Sequence, residues 1–375
     1  MKMLTAQTRL VLLLGLFVVV LAVQVPLASA TVTYVVGTCK KANNPITSIT
    51  QALQTTPRPN IVEVCPGNYA EQVVITFPVT VEGISDGSSA DALIGPPAGG
   101  MVANATNDLG VPMAAQVWVD NAGGDVNLTN LEVNGGGAVL PAAFFVGVFY
   151  QNSPGTMNHI VTANHTGNEL GVGVWLEGGS GKPTVILENS FIVNVDSTAV
   201  AAETNSTNSE LNATIKENII NPIEQNSGAL YGITLLGGLT ATVSDNLITA
   251  GATPQGATAI WIQSGSDGTI SKNTIDGYNV NGIGIILESD TMSVTGNTIE
   301  GGGSGTGIKV TSSVAPVTDN TIRFGAAGID FGCVAGSNVH SNTLMEDIVG
   351  LGNVPTSAVS ANTYYSVLLP RSGGC

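Results

Sequence analysis

Short segments with alternating apolar and polar residues recur along most of the chain. In each copy the apolar side chains lie two residues apart, as in a strand that buries one of its faces. The copies are residues 116–119, 147–150, 173–176, 199–202, 232–235, 259–262, 284–287, 307–310 and 328–331. The pattern therefore predicts a series of short β-strands with one face turned inward.

A second repeat lies between these strands and consists of an asparagine followed two residues later by an apolar or aromatic residue. Its copies begin at Asn158, Asn189, Asn218, Asn246, Asn273, Asn297, Asn320, Asn342 and Asn362. In coils stacked about 4.8 Å apart, inward asparagines can hydrogen-bond one another as a ladder. The alternative is that each asparagine only marks a turn, where it tolerates a positive φ.

Both repeats together predict the fold class. The segments are too short for helical repeats, and their variable spacing does not suit propeller blades, whereas a solenoid accommodates extra residues in its loops. We predict an all-β protein, a single-stranded right-handed parallel β-helix over residues 61–365, with an N-terminal cap at 31–60 and a C-terminal tail at 366–375.

The N-terminal cap is predicted to contain a short amphipathic helix. Asn44 and Pro45 suit its N-cap and first helical position. Ile46, Ile49 and Leu53 then lie on one helical face, which could cover the open end of the first coil.

Residues 46–83 resemble the first part of pectin methylesterases and other pectin-lyase-like proteins. In those families a helix precedes a V-x-V-x-P-G-x-Y-x-E-x-V-x-I stretch, which residues 61–75 match, and then a strand that ends in glycine, here Gly83. The resemblance implies a β-helix, but the catalytic motifs are not intact. Residues 328–332 keep only the Asp330-Phe331 pair and a glycine of the D-F-I-F-G motif, and the L-G-R-P-W motif is absent.

The first thirty residues have the pattern of a signal peptide. Lys2 and Arg9 are followed by an apolar run over residues 10–23 and by a small-x-small cleavage site at residues 28–30. An uncleaved membrane anchor is the alternative. We expect a secreted or extracellular protein, periplasmic or at the cell surface if bacterial, with no membrane insertion after cleavage.

Charge limits the partners of the mature chain. Removal of residues 1–30 takes away two of the eleven basic residues and none of the 27 acids, which leaves a formal charge of −18. Such a chain repels nucleic acid, so no nucleic-acid partner is expected. A polysaccharide or cell-surface glycan is expected instead, either neutral or, if acidic, bridged by Ca²⁺.

Four cysteines allow three disulfide pairings, and export makes disulfides reasonable. Two cysteines lie near each end of the mature chain. We therefore predict the pairs Cys39–Cys65 and Cys333–Cys375.

Alignment of the strands predicts a column of outward aromatic side chains, which contains all three tryptophans of the chain. The candidate carbohydrate-binding residues are Trp118, Phe149, Trp175 and Trp261. Exposed rings would offer flat apolar surfaces to sugar rings. Two alternatives stay open: the long connections could cover the rings and make them an outer core, or the rings could form a protein interface.

A second outward column contains Asp120, Glu177 and Glu203. Glu177 and Glu203 would lie one coil apart, a separation that suits a catalytic acid pair in a retaining glycosidase. The same oxygens, with Asp120, could instead bind Ca²⁺ as a metal site. A solvated acidic stripe is the third interpretation.

Two classes of function follow. The first is a secreted, non-catalytic β-helix that binds carbohydrate or a cell-surface partner along its outward strand face. The second is a carbohydrate-active enzyme of pectin esterase, glycosidase, polysaccharide lyase or epimerase type that acts in the same groove.

Overall fold

The computed structural model describes residues 31–373 apart from gaps at 41–44, 85–91, 142, 168–169, 206–208, 223–229, 250–255, 264, 279–280, 290, 302, 312–315, 333–337 and 354–360. The predicted signal peptide lies outside the described residues. All strands belong to the unit formed by Thr33–Cys375. No helix among the described residues is long and apolar enough to cross a membrane.

The elements are short and follow one another closely. The first part contains β1 (Thr33–Val36), α1 (Ile49–Leu53), β2 (Ile61–Val64), β3 (Gly67–Ala70), β4 (Val73–Ile75), β5 (Val79–Gly83), β6 (Ala92–Gly95), β7 (Ala105–Thr106), β8 (Pro112–Asp120), β9 (Val126–Thr129), β10 (Leu131–Asn134), β11 (Phe144–Gln151) and β12 (Gly155–Asn158). The middle part contains β13 (Val161–His165), β14 (Gly171–Glu177), β15 (Thr184–Glu188), β16 (Phe191–Val195), β17 (Thr198–Glu203), β18 (Asn212–Lys216), β19 (Ile219–Asn221), β20 (Tyr231–Leu236), β21 (Thr240–Ser244), β22 (Leu247–Thr249), β23 (Thr258–Ile262), β24 (Asp267–Ser271) and β25 (Thr274–Tyr278). The last part contains β26 (Ile283–Leu287), β27 (Ser293–Thr295), β28 (Thr298–Gly301), β29 (Thr306–Val310), β30 (Val317–Thr318), β31 (Thr321–Arg323), β32 (Ala327–Phe331), β33 (Val339–His340), β34 (Thr343–Met345), β35 (Val349–Gly352), β36 (Thr363–Tyr365) and β37 (Leu369–Ser372).

These strands form three long sheets, and a typical coil contributes one strand to each. Within the described residues, sheet A has the order β1-β2-β5-β9-β12-β15-β18-β21-β24-β27-β30-β33. Sheet B has the order β3-β6-β10-β13-β16-β19-β22-β25-β28-β31-β34-β36. Sheet C has the order β4-β8-β11-β14-β17-β20-β23-β26-β29-β32-β35-β37, with β7 antiparallel to β8 at its side. The pairing between coils is parallel throughout, which confirms the predicted parallel β-helix.

The inward face of each sheet forms the core. In β14, for example, Val174 and Leu176 are fully buried and belong to one apolar cluster that runs along the whole solenoid. Burying such a side chain contributes about 1.5–3 kcal/mol. Every coil therefore stabilises its neighbours through the same few positions.

The predicted asparagine ladder is present in the later coils. Its members are Asn218, Asn246, Asn273, Asn297, Asn320, Asn342 and Asn362, and in each pair of successive coils the first asparagine donates its backbone N–H and its side-chain amide to the Oδ1 atom of the next. The first two predicted members are wrong. Ser190, and not Asn189, pairs with Asn218, and the side chains of Asn158 and Asn189 meet at the surface.

The N-terminal end differs in detail from the prediction. The N-cap of α1 is Ser48, whose hydroxyl accepts a hydrogen bond from the Gln51 backbone N–H, and Asn44 lies outside the described residues. Ile49 and Leu53 are buried against the first coil, as expected of a covering helix. Strand β1 lies within the segment predicted as the cap, and β37 lies within the predicted tail.

One of the two predicted disulfides joins described residues. Cys39 and Cys65 are bonded, with a Cα–Cα distance of 5.6 Å. The other predicted pair, Cys333 and Cys375, lies outside the described residues.

Candidate functional site

The outward face of sheet C brings the aromatic and acidic candidates together. The strand register places Phe149 between Trp118 and Trp175 in neighbouring coils. The same column continues through Ala201, Thr234, Trp261, Ile286, Lys309 and Asp330. We call the part of the column from Trp118 to Ala201 its upper half and the part from Thr234 to Asp330 its lower half. The two halves differ in their exposure to solvent, so each is a separate candidate site.

The upper half of the column is covered by a segment that we call the strap, residues 101–111. Ala105 of the strap packs in an apolar cluster with Phe149 and Trp175. Phe149 is 0% exposed and Trp175 is 7% exposed, so the prediction that these two rings line an open surface is wrong. The long connections form an outer core here. Trp118, packed at the side of this cluster, keeps part of its surface exposed.

Polar contacts attach the strap to sheet C along its length. The Gln72 amide donates to the Val102 carbonyl at 3.0 Å and accepts from the Val102 N–H at 2.9 Å. The Asn104 side chain makes the same reciprocal pair with the backbone of Ala115. The Gln151 amide donates to the Thr106 carbonyl at 2.8 Å. The strap therefore crosses several coils and is attached to them by specific side-chain hydrogen bonds.

The tip of the strap lies on the predicted acid pair. Glu177 and Glu203 are register neighbours in β14 and β17, and they are only 1% and 4% exposed. The Asp108 backbone N–H donates to Oε1 of Glu177 at 2.6 Å, and the Gln151 amide donates to Oε2 at 2.9 Å. The Asn205 amide donates to Oε1 of Glu203 at 2.7 Å.

Burial favours the neutral form of both carboxyl groups. Loss of hydration raises the pKa of Glu177 to about 7; the charges of Asp108 and Glu203 add to the increase, and the Asp108 N–H opposes it. Burial also raises the pKa of Glu203, although the Asn205 amide favours its ionised form. Because neither carboxyl group is accessible in this structure, the pair cannot contact a polysaccharide.

The same residues do not form a cation site. Gln151 lies between Asp120 and Glu177 and directs its amide donor at Glu177, where a metal ligand would present an oxygen. Oδ1 of Asp120 accepts from the Asn121 amide at 2.6 Å. Among the described residues, no group of three or more histidines, cysteines or acids is arranged to hold a metal ion. The proposed grouping of Asp120, Glu177 and Glu203 as calcium ligands is therefore not present.

The lower half of the column has an exposed surface. The Trp261 ring stacks on Tyr231, with centroids 5.2 Å apart and planes 25° apart, and both residues are partly exposed. Ile286 follows in register and is also partly exposed, and Lys309 after it is exposed.

Polar side chains run beside this half in the neighbouring outward column. Gln263 and Thr311 are exposed, and Leu236 and Glu288 are partly exposed. We call Tyr231, Trp261, Ile286, Gln263 and Glu288 the exposed strip. It combines apolar rings with hydrogen-bonding groups, which is the composition of a surface that binds sugar rings.

Tyr231 was not found from the sequence. Gly232 separates it from the alternating residues of β20, so period-two counting does not place Tyr231 on the outward face. The register pairs Tyr231 with Thr198 and Thr258, in a third column beside the tryptophans. The signal available in the sequence was the position of Tyr231 directly before Gly232, the small residue that begins most copies of the strand repeat.

A polar groove with a volume of about 530 Å³ lies at the turns that follow the upper strands of sheet C. Its lining residues include Asn121, Asp125, Asn152, Lys182 and Thr184. The Asn152 amide donates to Oδ1 of Asn121 at 2.7 Å, and Asn121, Asn152 and Lys182 have positive φ values near 45°. The sequence analysis did not find this groove, because it is built from turns rather than from the repeated strands.

Comparison with known proteins supports the fold. The family model for the right handed beta helix region matches residues 205–364. No curated protein matches the chain. The matching residues do not include 46–83, so the likeness of that segment to pectin methylesterases in particular is not shown.

Several solved structures are similar to the chain. A variant of DFA-IIIase from Arthrobacter chlorophenolicus A6 in complex with DFA-III is 12% identical, with 91% of this chain and 86% of that chain covered and a TM-score of 0.48. An alginate lyase from Paenibacillus sp. str. FPU-7 is 13% identical, with 90% and 98% covered and a TM-score of 0.45. The A-module of a mannuronan C-5 epimerase from Azotobacter vinelandii is 15% identical, with 84% and 87% covered and a TM-score of 0.44.

At these identities and TM-scores the similarity does not extend to an activity or a substrate. The strand pairing and the family match concern the same feature, the stacking of short parallel strands in successive coils. The chain is a right-handed parallel β-helix.

Proposed function

We propose that this protein is a secreted β-helix that binds a neutral polysaccharide along the exposed strip of sheet C. The stacked pair of Tyr231 and Trp261 is the observation that supports the proposal. The C–H faces of sugar rings pack on aromatic rings, and a ring held in place by a neighbour loses little conformational entropy when it binds.

The surroundings of the stacked pair suit a polymer that lies along the axis of the solenoid. Ile286 extends the apolar surface by one coil, and Gln263 and Glu288 lie in the adjacent column, where their side chains can bond sugar hydroxyls. Two coil steps span about 10 Å, which is close to the length of two sugar rings. The binding surface would therefore contact two or more consecutive sugars.

Charge and disulfide chemistry agree with an extracellular glycan partner. Without residues 1–30, which we propose to be an export signal, the formal charge of −18 disfavours a polyanionic ligand. The disulfide between Cys39 and Cys65 is of a kind that persists in oxidising compartments.

The test is a binding assay with the purified protein against neutral and acidic polysaccharides, with and without Ca²⁺. We expect Trp261→Ala to weaken binding of a neutral glycan about tenfold or more, because loss of the ring removes its contact area. Phe191→Ala, which removes an exposed ring from sheet B, is the matched control and should bind as the wild type does.

Two results would contradict the proposal. One is equal binding by the wild type and Trp261→Ala, and the other is the absence of binding to every neutral glycan in the panel. Products are measured in the same assay, since release of cleaved, de-esterified or epimerised sugar would indicate a carbohydrate-active enzyme instead.

A further inference from the structure

We infer that the strap, residues 101–111, is a pH-sensitive cover that exposes a second part of the carbohydrate surface, around Trp175, when the carboxyl groups beneath its tip ionise. The carbohydrate part of this inference rests on the proposed function. The movement of the strap does not, so the two can fail separately.

The tip of the strap contacts the acid pair directly. Its turn is closed by Asn107, whose Oδ1 accepts from the backbone N–H groups of Leu109 and Val111 at 3.1 and 2.9 Å. The Leu109 side chain is 64% exposed and adds little apolar attachment. At the tip the Asp108 N–H donates to Glu177 and the Asn107 amide, at 3.5 Å, to Glu203, while the neighbouring Thr106 carbonyl accepts from the neutral amide of Gln151.

Among the described residues, no cation is paired with the acids at this position. Glu177 faces Glu203 in β17 and Asp108 in the strap, and its other neighbours are the neutral amides of Gln151 and Asn205. In the part of the chain that the structure describes, no lysine, arginine or histidine forms an ion pair with either glutamate. When both groups are ionised, the closed strap holds two desolvated negative charges one coil apart.

The direction of the pH effect follows from the closed state. The pKa of Glu177 is raised from 4.5 to about 7 when the strap is closed, so the closed state holds the proton more tightly than an open state with a hydrated carboxyl. Closure is therefore most stable below about pH 4.5 and loses stability as the pH rises to about 7. Because one pKa unit corresponds to a tenfold change, the open fraction should increase at least tenfold over this range.

Opening would uncover the ring of Trp175. Its indole N–H lies near Glu203 and favours the ionised form of that carboxyl group. Trp175 also lies in the same column as Trp261, with only Ala201 and Thr234 between them. An open strap would thus extend the apolar surface of the exposed strip toward the N-terminal coils.

Hydrogen exchange of the Asp108 amide measures the opening directly. After correction for the intrinsic pH dependence of exchange, we expect its protection to fall at least tenfold between pH 5 and pH 8 in the full-length protein. Protection that does not change with pH would overturn the inference.

Glu177→Gln removes the titrating group, and we expect strong protection at both pH values in this variant. If the variant does not fold, Glu203→Gln provides the same test and should reduce the pH dependence. Glu82→Gln, on the outward face of sheet A, is the control. Its Asp108 amide should show the same pH dependence of exchange as in the wild type. A wild-type response in both Glu177→Gln and Glu203→Gln would also overturn the inference.

Glycan binding separates the two proposals. We expect Trp175→Ala to weaken binding at pH 8 and to have no effect at pH 5, whereas Trp261→Ala weakens it at both. If exchange at Asp108 responds to pH but Trp175→Ala never affects binding, the strap opens but does not uncover a glycan-binding surface. If neither tryptophan matters, the proposed function fails even though the strap opens.

Discussion

Asn273 illustrates how one residue type connects the coils. Its Oδ1 accepts from the backbone N–H and the side-chain amide of Asn246, and its own amide donates to the Val243 carbonyl and to Oδ1 of Asn297. The side chain is completely buried, and without it the Asn246 backbone N–H would lose this acceptor, whereas the Asn246 amide would keep the Ile215 carbonyl. Buried polar groups are tolerated because the ladder satisfies them in both directions.

We predict that Asn273→Ala lowers the free energy of unfolding by about 1–3 kcal/mol, the cost of leaving buried polar groups unsatisfied. Urea denaturation of the two proteins measures the difference. Asn212→Ala is the matched control, since Asn212 is partly exposed, has no positive φ, and its amide donates only a long hydrogen bond, 3.4 Å, to Oγ1 of Thr184. It should change stability by less than about 0.5 kcal/mol. Equal stability of Asn273→Ala and the wild type would show that the ladder adds nothing to stability.

The first coil depends on two local devices. Helix α1 lies over its apolar end, and the Glu71 carboxylate accepts from the backbone N–H groups of Ile49 and Thr50, which are free at the start of the helix. The Cys39–Cys65 bond then joins the segment after β1 to the end of β2. Both devices hold the chain where only one neighbouring coil is available.

Removal of this disulfide should destabilise the protein. The closed loop spans 26 residues in sequence, and the chain-entropy model predicts a loss of about 3–4 kcal/mol in the double variant Cys39→Ala, Cys65→Ala. Thermal unfolding, followed by circular dichroism, measures the loss. The wild type in a reducing buffer should shift in the same direction. An unchanged melting temperature in both samples would show that the first coil is stable without the bond.

Along the whole molecule, each coil contacts mainly the coils before and after it, as in other solenoids. The two ends are therefore the weakest points, and they are protected unequally. The first coil is covered by α1, whereas the residues of β36 and β37 are partly or largely exposed. Local opening should begin at the C-terminal coils.

Hydrogen exchange tests whether the C-terminal coils open more readily than the other coils. The Thr363 and Leu369 amides, which donate to Asn342 and Ile348, should exchange at least tenfold faster than the Tyr231 and Thr258 amides of the central coils. The Cys65 amide, which donates to Val36 in the first coil, should behave like the central ones. Uniform protection along the chain would mean that the solenoid opens as a single unit.

Repetition explains why much of the fold could be predicted. A β-helix is specified by patterns that recur in every coil, so period-two alternation and the asparagines that follow were sufficient to predict parallel strands and most of the ladder. The alignment failed where the local motif was ambiguous. In Asn189-Ser190-Phe191-Ile192 the buried apolar residue is Ile192, which moves the ladder position to Ser190.

The column of side chains on the outward face could be predicted in the same way, but its exposure to solvent could not. Sequence alignment placed Trp118, Phe149 and Trp175 in one column because strands in register repeat their directions. Whether that column meets solvent depends on a segment without periodicity. The strap covers it through contacts such as Asp108 with Glu177, 69 residues apart, and covering segments of this kind are decided by tertiary packing alone.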